Sequence, residues 1–562
     1  MKTHPGARRA GRGAIAGLLA GAVAVGAGQL VAGITGAGGS PVVAVGQLQI
    51  DFTPAALKNF AISEFGSHDK LVLVSGILVV LALFSAVLGS LAMRRLGYGL
   101  AGLAVFAVIG LIAAATRPTA TPADALPTLA AAAAGAVMMT ALIRAARAAA
   151  PRASPDQPPA AGTAAPGTSP GALARASSPA LAAVSADVTP LGGARDREPG
   201  RAMSGPPQPE RRRFLVVGGV AAGAAAAGVL GGRVLSDWSS VAGARASLRI
   251  PAPAFPAPPV PAGADLRIAG LAPFITPNGA FYRVDTAIVL PQVAPASWML
   301  RIHGMVRREI RISFGQLIRR PLTEDWITLC CVSNPVGGPY IGNARWLGAS
   351  LASLLRQAGI LAGASQLLCT SVDGFTSGVP VQAALDGRDA LLAVAMNGTP
   401  LPVAHGFPVR MVVPGLYGYV SACKWITDIE VTTYQAATAY WVPRGWDAQA
   451  PIKTESRIDV PNGSSQLSAG PVRVAGVAWA QHKGVDAVEV RVDRGAWQQA
   501  RLAAVPGIDT WRQWVWDWHA TPGQHLIESR ATDRAGYTQT AAQTPPEPNG
   551  ATGYPSISVT VT

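Results

Sequence analysis

Residues 326–348, WITLCCVSNPVGGPYIGNARWLG, hold the densest set of side chains in this chain that could do chemistry. Two adjacent cysteines, Cys330 and Cys331, end an apolar run and are followed by a glycine-rich loop. Neighbouring side chains on a strand point to opposite faces, so only one of the two can look into a site built by that loop. A thiolate is a soft ligand suited to a heavy or electron-rich metal, and one cysteine per site does not build zinc's usual Cys/His cage. The competing reading is a pair of small buried hydrophobes, and residue type alone leaves the two open. Haem chemistry finds no support. Between His4 and His303 the only histidine is His68, outside every apolar run, and no Cys-x-x-Cys-His occurs, so electrons must be exchanged with a separate partner.

The elements that would position such a site fall into distinct materials. Apolar runs at residues 14–34, 71–93, 98–115 and 129–143 each approach the roughly 20 residues needed to cross a bilayer as a helix. Residues 151–208 are dominated by Pro, Ala, Ser and Gly without an aromatic residue and read as a flexible linker. Arg211-Arg212-Arg213 then leads into a fifth apolar run at 214–232, followed by a second Ala/Pro linker at 251–262. Arg8, Arg9 and Arg12 precede the first run, Arg94 and Arg95 separate the second from the third, and Arg144, Arg147 and Arg152 follow the fourth. Placing all of these in the cytoplasm gives one consistent topology, in which the fifth span carries the rest of the chain across the membrane. The Arg211–Arg213 run is also similar to an internally placed twin-arginine export signal. The formal net charge of +15 is thereby largely an orientation signal, and no nucleic-acid partner is expected. A transporter built from the first four spans lacks membrane-embedded charges.

All 13 tryptophans lie at Trp238 or later, and from Ala264 onward the chain reads as folded α+β material. GASLASLLRQAG at 348–359 has helical spacing and a glycine stop, whereas 367–372, 408–413 and 424–432 read as strands. From 451 the pattern becomes short strands separated by turn signals, with strict alternation in Val488-Glu489-Val490-Arg491-Val492, as in an immunoglobulin-like sandwich. Trp514, Trp516 and Trp518, at period two, read as core packing or a dimer seam.

Cys331-Val332-Ser333-Asn334, then Gly337-Gly338 and Ala344-Arg345-Trp346, resembles the molybdenum-binding core of the sulfite oxidase family. Met396-Asn397-Gly398, Leu401-Pro402, HGFPVR at 405–410, VVPG at 412–415 and Lys424-Trp425 follow in the family's order. The similarity runs from about residue 273 to 562 and includes a tail like the family's immunoglobulin-like dimerisation domain. It implies that Cys331 supplies the one protein thiolate to molybdenum, whose other sulfur ligands come from the pterin. It also implies that Arg345, His405, Arg410 and Lys424 hold the pterin phosphate and ring, a role suited to guanidinium forks and strong donors. Tyr282, Arg283, Ser333 and Asn334 complete the expected cofactor contacts, with Cys331, Arg283 and Arg345 as the expected catalytic set. Two departures stand out. Val284-Asp285 replaces the Asn-His common after the arginine, and Phe375 stands where sulfite-oxidising members place a tyrosine. The matching register selects Cys331 over Cys330. Cys330, Cys369 and Cys423 read as buried structural residues, and pairing of the last two stays open.

The expected organisation is thus an all-α transmembrane region (1–150), a linker (151–210), a fifth transmembrane helix (211–235), an α+β molybdopterin domain (264–445) and an all-β immunoglobulin-like domain (451–562). The function expected is membrane-anchored, extracytoplasmic oxygen-atom transfer on a small oxyanion or sulfoxide, with a separate redox partner and a possible homodimer. The alternative is a non-enzymatic displayed binding protein with a degenerate molybdopterin fold.

Overall fold

The computed structural model describes residues 5–35, 41–53, 69–116, 120–148, 209–238 and 240–562, so residues 151–208 of the expected linker lie outside them. Among the described residues the N-terminal part contains the helices α1 (Pro5–Thr35), α2 (Pro41–Phe52), α3 (Asp69–Ala92), α4 (Leu96–Ala115), α5 (Leu126–Ala148) and α6 (Pro209–Trp238). Five segments, Arg9–Thr35, Leu71–Ala92, Leu96–Ala115, Pro122–Ala148 and Arg212–Leu235, are long and apolar enough to cross a membrane. These segments overlap the five apolar runs. Helix α2, whose apolar part is Pro41–Ile50, is too short to span and was not anticipated.

Helix α1 is the hub, because small residues let two neighbours approach its backbone. Gly13 and Gly17 face Gly89 and Ser85 of α3, and a Cβ on Gly26 or Gly33 would stand 2.8 Å from the Ala225 or Gly232 carbonyl oxygen of α6. Such stripes of small residues let helix backbones pack in close contact. Arg9 and Arg147 donate to the Met93 and Ala92 carbonyls at 3.2 and 2.6 Å, beside Arg94 and Arg95. These basic residues therefore gather at one end of the bundle, and the donors satisfy carbonyls at the helix end.

Two five-strand sheets with one shared core form the central region. The first has the order β2 (Ile310–Ser313), β1 (Met299–Gly304), β10 (Ile426–Thr432), β5 (Gln366–Ser371), β6 (Thr376–Pro380), with β1 and β10 parallel. The second is β3 (Leu322–Cys330), β4 (Ile341–Ser350), β7 (Leu391–Met396), β8 (Thr399–Pro400), and β9 (Arg410–Val412) pairs with β7. The expected helix is present at Leu351–Ala358, capped by Ser350 and closed by Gly359 at φ 70°. Residues 251–262 were expected to be a free linker and are instead pinned along the edge strand β3. The Ala254 and Phe255 amides donate to the Leu322 carbonyl, Glu324 donates back to Phe255, and Trp326 Nε1 donates to the Pro258 carbonyl at 3.0 Å. Proline removes donors but leaves carbonyls and the intervening amides able to cover an edge.

The C-terminal region has two further sheets, β11 (Glu455–Val460), β13 (Gly470–Trp479), β17 (Arg512–Ala520), β16 (Arg501–Leu502), and β12 (Gln466–Leu467), β19 (Ser556–Val561), β18 (Gly523–Asp533), β14 (Val485–Val492), β15 (Gln498–Gln499). Both contribute to one apolar core, where Trp514 and Trp518 are buried and Trp516 packs against them. The tryptophan stripe is therefore core packing. Trp511, just ahead of it, belongs to the central core.

Candidate functional site

Strand β3 delivers the two cysteines to opposite environments. Cys330 is fully buried in the central core, whereas Cys331 opens the loop. That loop is closed tightly: the Cys331 amide donates to the Tyr340 carbonyl at 2.9 Å, and the Asn334 amide to the Cys331 carbonyl at 3.1 Å. Asn334 Oδ1 accepts from the Tyr340 amide at 2.8 Å. A Cβ on Gly338 would stand 2.6 Å from that oxygen, so this position needs glycine. Burial pushes the Cys331 thiol up, while the Ser333 amide and hydroxyl and the charge of Lys424 pull it back. Those three groups favour the thiolate, the form that binds metal.

A basic set lies on the other side. Arg410, on β9, is buried over the Trp346 ring at 5.0 Å. It donates to the His405 and Ala422 carbonyls at 3.2 and 3.3 Å, and desolvation pulls its guanidinium down to about 10. Lys424, at the entry to β10, donates to the Val284 carbonyl at 3.1 Å and to Asp285 at 3.0 Å. Desolvation lowers its ammonium to about 8, against the pull of Asp285. His405 is buried, and Nε2 meets the Asn278 carbonyl at 3.2 Å. A carbonyl only accepts, so Nε2 carries the hydrogen. Burial first, then Arg410 and Lys424, push the ring down to about 3, so it is neutral near pH 7. Tyr282 stacks on Phe281 at 5.3 Å, and its hydroxyl is raised first by burial, then by Cys331 and Cys330, while Arg410 lowers it.

The structure therefore brings Tyr282, Cys331, Ser333, Asn334, His405, Arg410 and Lys424 into one region, with Arg283 tied to it through Asp285. Arg345 lies elsewhere. Its guanidinium meets Glu324 at 3.2 Å and the Trp326 ring at 5.6 Å, and it lines a separate pocket with Pro258, Pro259 and Asn397. Strand alternation explains this: Trp346 faces Arg410 and Phe281, so Arg345 faces the other way. Phe375 packs on Tyr440 at 5.6 Å, and all four cysteines are free thiols.

Sequence reasoning missed the roles of two supporting residues, Asn397 and Asp285. Asn397 Oδ1 accepts from the Arg345 amide at 2.9 Å, and its Nδ2 donates to the Thr276 carbonyl and to Asn278 Oδ1 at 3.0 and 2.8 Å. It thus holds the segment on which His405 rests. Asn397-Gly398 at a two-residue hairpin was a turn signal, but nothing local announced its side-chain partners. Asp285 was noticed only as a departure from the family pattern.

The chemistry of this donor set suits a molybdenum–pterin group. The buried Arg410 Nε and Asn334 Nδ2 have no hydrogen-bond partner among the described residues, an expensive condition that an added acceptor relieves. The buried Arg410, together with Lys424 beside Asp285, supplies positive charge to an anionic group, and one thiolate precursor stands beside them. Among the described residues no three His, Cys, Asp or Glu side chains converge on a metal position.

Residues 287–441 match the family described as the oxidoreductase molybdopterin binding domain. Sulfite oxidase of Gallus gallus is 32% identical over 290 residues, covering 43% of this chain and 62% of that protein. Nitrate reductase [NADH] 1 of Oryza sativa subsp. japonica is 30% identical over 194 residues, covering 30% of this chain and 21% of that protein. The chain thus spans less than two thirds of either relative's length. The solved sulfane dehydrogenase SoxCD from Paracoccus pantotrophus aligns at 23% identity with TM-score 0.43, covering 48% of this chain and 75% of its own.

Proposed function

Starting from a chain that carries the molybdopterin-binding domain of the sulfite oxidase family, we propose that it is a membrane-anchored oxidoreductase performing two-electron oxygen-atom transfer on a small oxyanion or sulfoxide. When bound, the molybdenum centre supplies the oxygen-atom and electron exchange. The protein's own part follows from its side chains. Cys331 offers the thiolate, which the Ser333 amide and hydroxyl stabilise, and its tight loop fixes where that sulfur sits. Arg410 and Lys424 offer buried positive charge to a phosphate. His405 donates from Nε2 to the Asn278 carbonyl, which leaves Nδ1 as an acceptor for a cofactor N–H or O–H. Arg283 and the Tyr282 hydroxyl remain for an incoming oxygen-bearing substrate. Phe375 brings no hydroxyl. We assign Arg345 to the outer pocket, where it braces β3 and β4.

Five apolar spans, with basic residues gathered at one end of the bundle, support anchoring with that end in the cytoplasm and the catalytic region on the opposite side. We read 1–150 and 211–235 as membrane units, 264–445 as the catalytic domain and 451–562 as an immunoglobulin-like module able to mediate a homodimer. Redox equivalents pass to a separate partner.

The observation that carries the proposal is the buried Arg410 beside Lys424 and the Cys331 loop. Its test is molybdenum content of the purified full chain from a host competent for molybdopterin synthesis. One molybdenum per chain is expected in the wild type, together with loss of the thiolate-to-metal absorption and of turnover in Cys331→Ser. Activity with sulfite plus ferricyanide, against methionine sulfoxide plus reduced dye, assigns the direction. A chain without molybdenum overturns the reading.

A further inference from the structure

The position two residues after Arg283 is a carboxylate, and it is held like a ligand. The Asp285 side chain is 6% exposed. Its Oδ2 accepts from Arg283 Nε at 2.8 Å and from Lys424 Nζ at 3.0 Å, and its Oδ1 accepts from Arg283 Nη2 at 3.3 Å. A guanidinium edge and an ammonium converging on two oxygens of one anion is the arrangement by which proteins hold carboxylates and tetrahedral oxyanions. The Arg283 side chain is 37% exposed, so a ligand from solvent can reach the guanidinium, and the charge of Lys424 is felt at Cys331. The fork thus lies open on one side and borders the candidate site on the other.

We infer that Asp285 is a specificity-determining residue, a built-in counter-anion that occupies the Arg283–Lys424 fork, so that a tetrahedral oxyanion binds there only by sharing or displacing it. That oxyanion is either a free ion or the phosphate group of a bound cofactor, and the donors required are the same. Asp285 also offsets one of the three cations Arg283, Lys424 and Arg410. A dianion therefore meets a weaker field than the basic residues alone would give it. The inference rests on the anion-binding reading of this site, but the fork itself is geometry of the chain.

The test is sulfate binding by calorimetry to the full chain in detergent, at fixed ionic strength, prepared without cofactor and loaded with it. Asp285→Asn keeps the shape and removes the charge. It is expected to bind sulfate at least about tenfold more tightly than wild type in the cofactor-free chain, a gain of about 1.4 kcal/mol. Asp285→Glu, which keeps the charge, is expected to stay near wild type. If the gain persists in the loaded chain, the oxyanion is a free ligand. If it vanishes on loading, the cofactor's phosphate takes the fork. Equal sulfate affinity in wild type, Asp285→Asn and Asp285→Ala overturns the inference, as does weaker binding in Asp285→Asn, which makes Asp285 an organiser of the fork and not a competitor. Should Asp285→Asn not fold, Asp285→Ala carries the same expectation. The cofactor-free measurement stands whether or not the wild type takes up molybdenum, so failure of this inference and failure of the proposed function are told apart.

Discussion

At the scale of single residues, burial and local charge oppose each other throughout the site, and the balance is what makes it usable. Cys331 is pushed toward the thiol by burial and back toward the thiolate by Ser333 and Lys424, and metal binding requires the deprotonated form. The loop depends on Gly338, whose missing side chain lets Asn334 Oδ1 reach the Tyr340 amide. Gly338→Ala is expected to displace that loop, lower stability by about 1–3 kcal/mol, and reduce molybdenum content; thermal unfolding and elemental analysis check both. A second expectation concerns Glu455, buried where the central and C-terminal regions meet, with its Oε1 unpartnered among the described residues. Burial raises its carboxyl from about 4.5 to about 8, against Lys453. The folded state therefore holds this proton more tightly than the unfolded chain. The stabilisation is complete below about 4.5 and is lost as pH rises toward about 8, by on the order of a few kcal/mol. Glu455→Gln should remove that segment of the stability-versus-pH curve, measured by urea unfolding; an unchanged slope assigns it to other groups.

At the scale of elements, small residues and unusual edges do the positioning. Helix α1 approaches α3 through Gly17 and α6 through Gly26 and Gly33, so a bulky residue at one of these positions meets one particular neighbour. Gly17→Ile is expected to drive α1 and α3 apart, because its Cβ would overlap the Ser85 carbonyl. Crosslinking between cysteines placed on the two helices should drop sharply relative to the same pair with Gly17 intact. The strap at 251–262 makes a different prediction. Its amides at Ala254 and Phe255 donate to β3, so hydrogen exchange in the full chain should show them protected to the same degree as the Glu324 amide. Fast exchange there would mean that the edge of β3 is open.

At the scale of the whole molecule, the central and C-terminal regions are fastened by one buried junction. Thr328 Oγ1 donates to Asn343 Oδ1 at 2.9 Å and accepts from the Trp511 amide at 2.7 Å, its carbonyl accepts from Gln481 at 3.2 Å, and its amide donates to the Asp509 carbonyl at 2.9 Å. Thr328→Val keeps the shape and strands two buried partners, at an expected cost of about 1–3 kcal/mol. Urea unfolding followed by tryptophan fluorescence should still show one transition, shifted to lower denaturant; two separated transitions would mean that the junction couples the regions less than its burial implies.

What could be read from the chain was whatever a local pattern carries. The apolar runs announced five helices long and apolar enough to cross a membrane, because that property needs only length and composition in one contiguous piece. Alternation in 488–492 announced a half-buried strand, and the ordered motifs from Cys331 to Lys424 announced a molybdopterin domain. Alternation would also have sent Arg345 away from the face that Trp346 shares, had it been applied there. The fold alone decided that Asp285 closes on Arg283 and Lys424, that Asn397 holds the segment under His405, that a proline-rich stretch becomes the cover of β3, and that Glu455 is buried at the junction. Those outcomes pair groups up to 139 residues apart. Their energies depend on which surfaces the packed sheets bring together and desolvate, a quantity that no window of sequence contains.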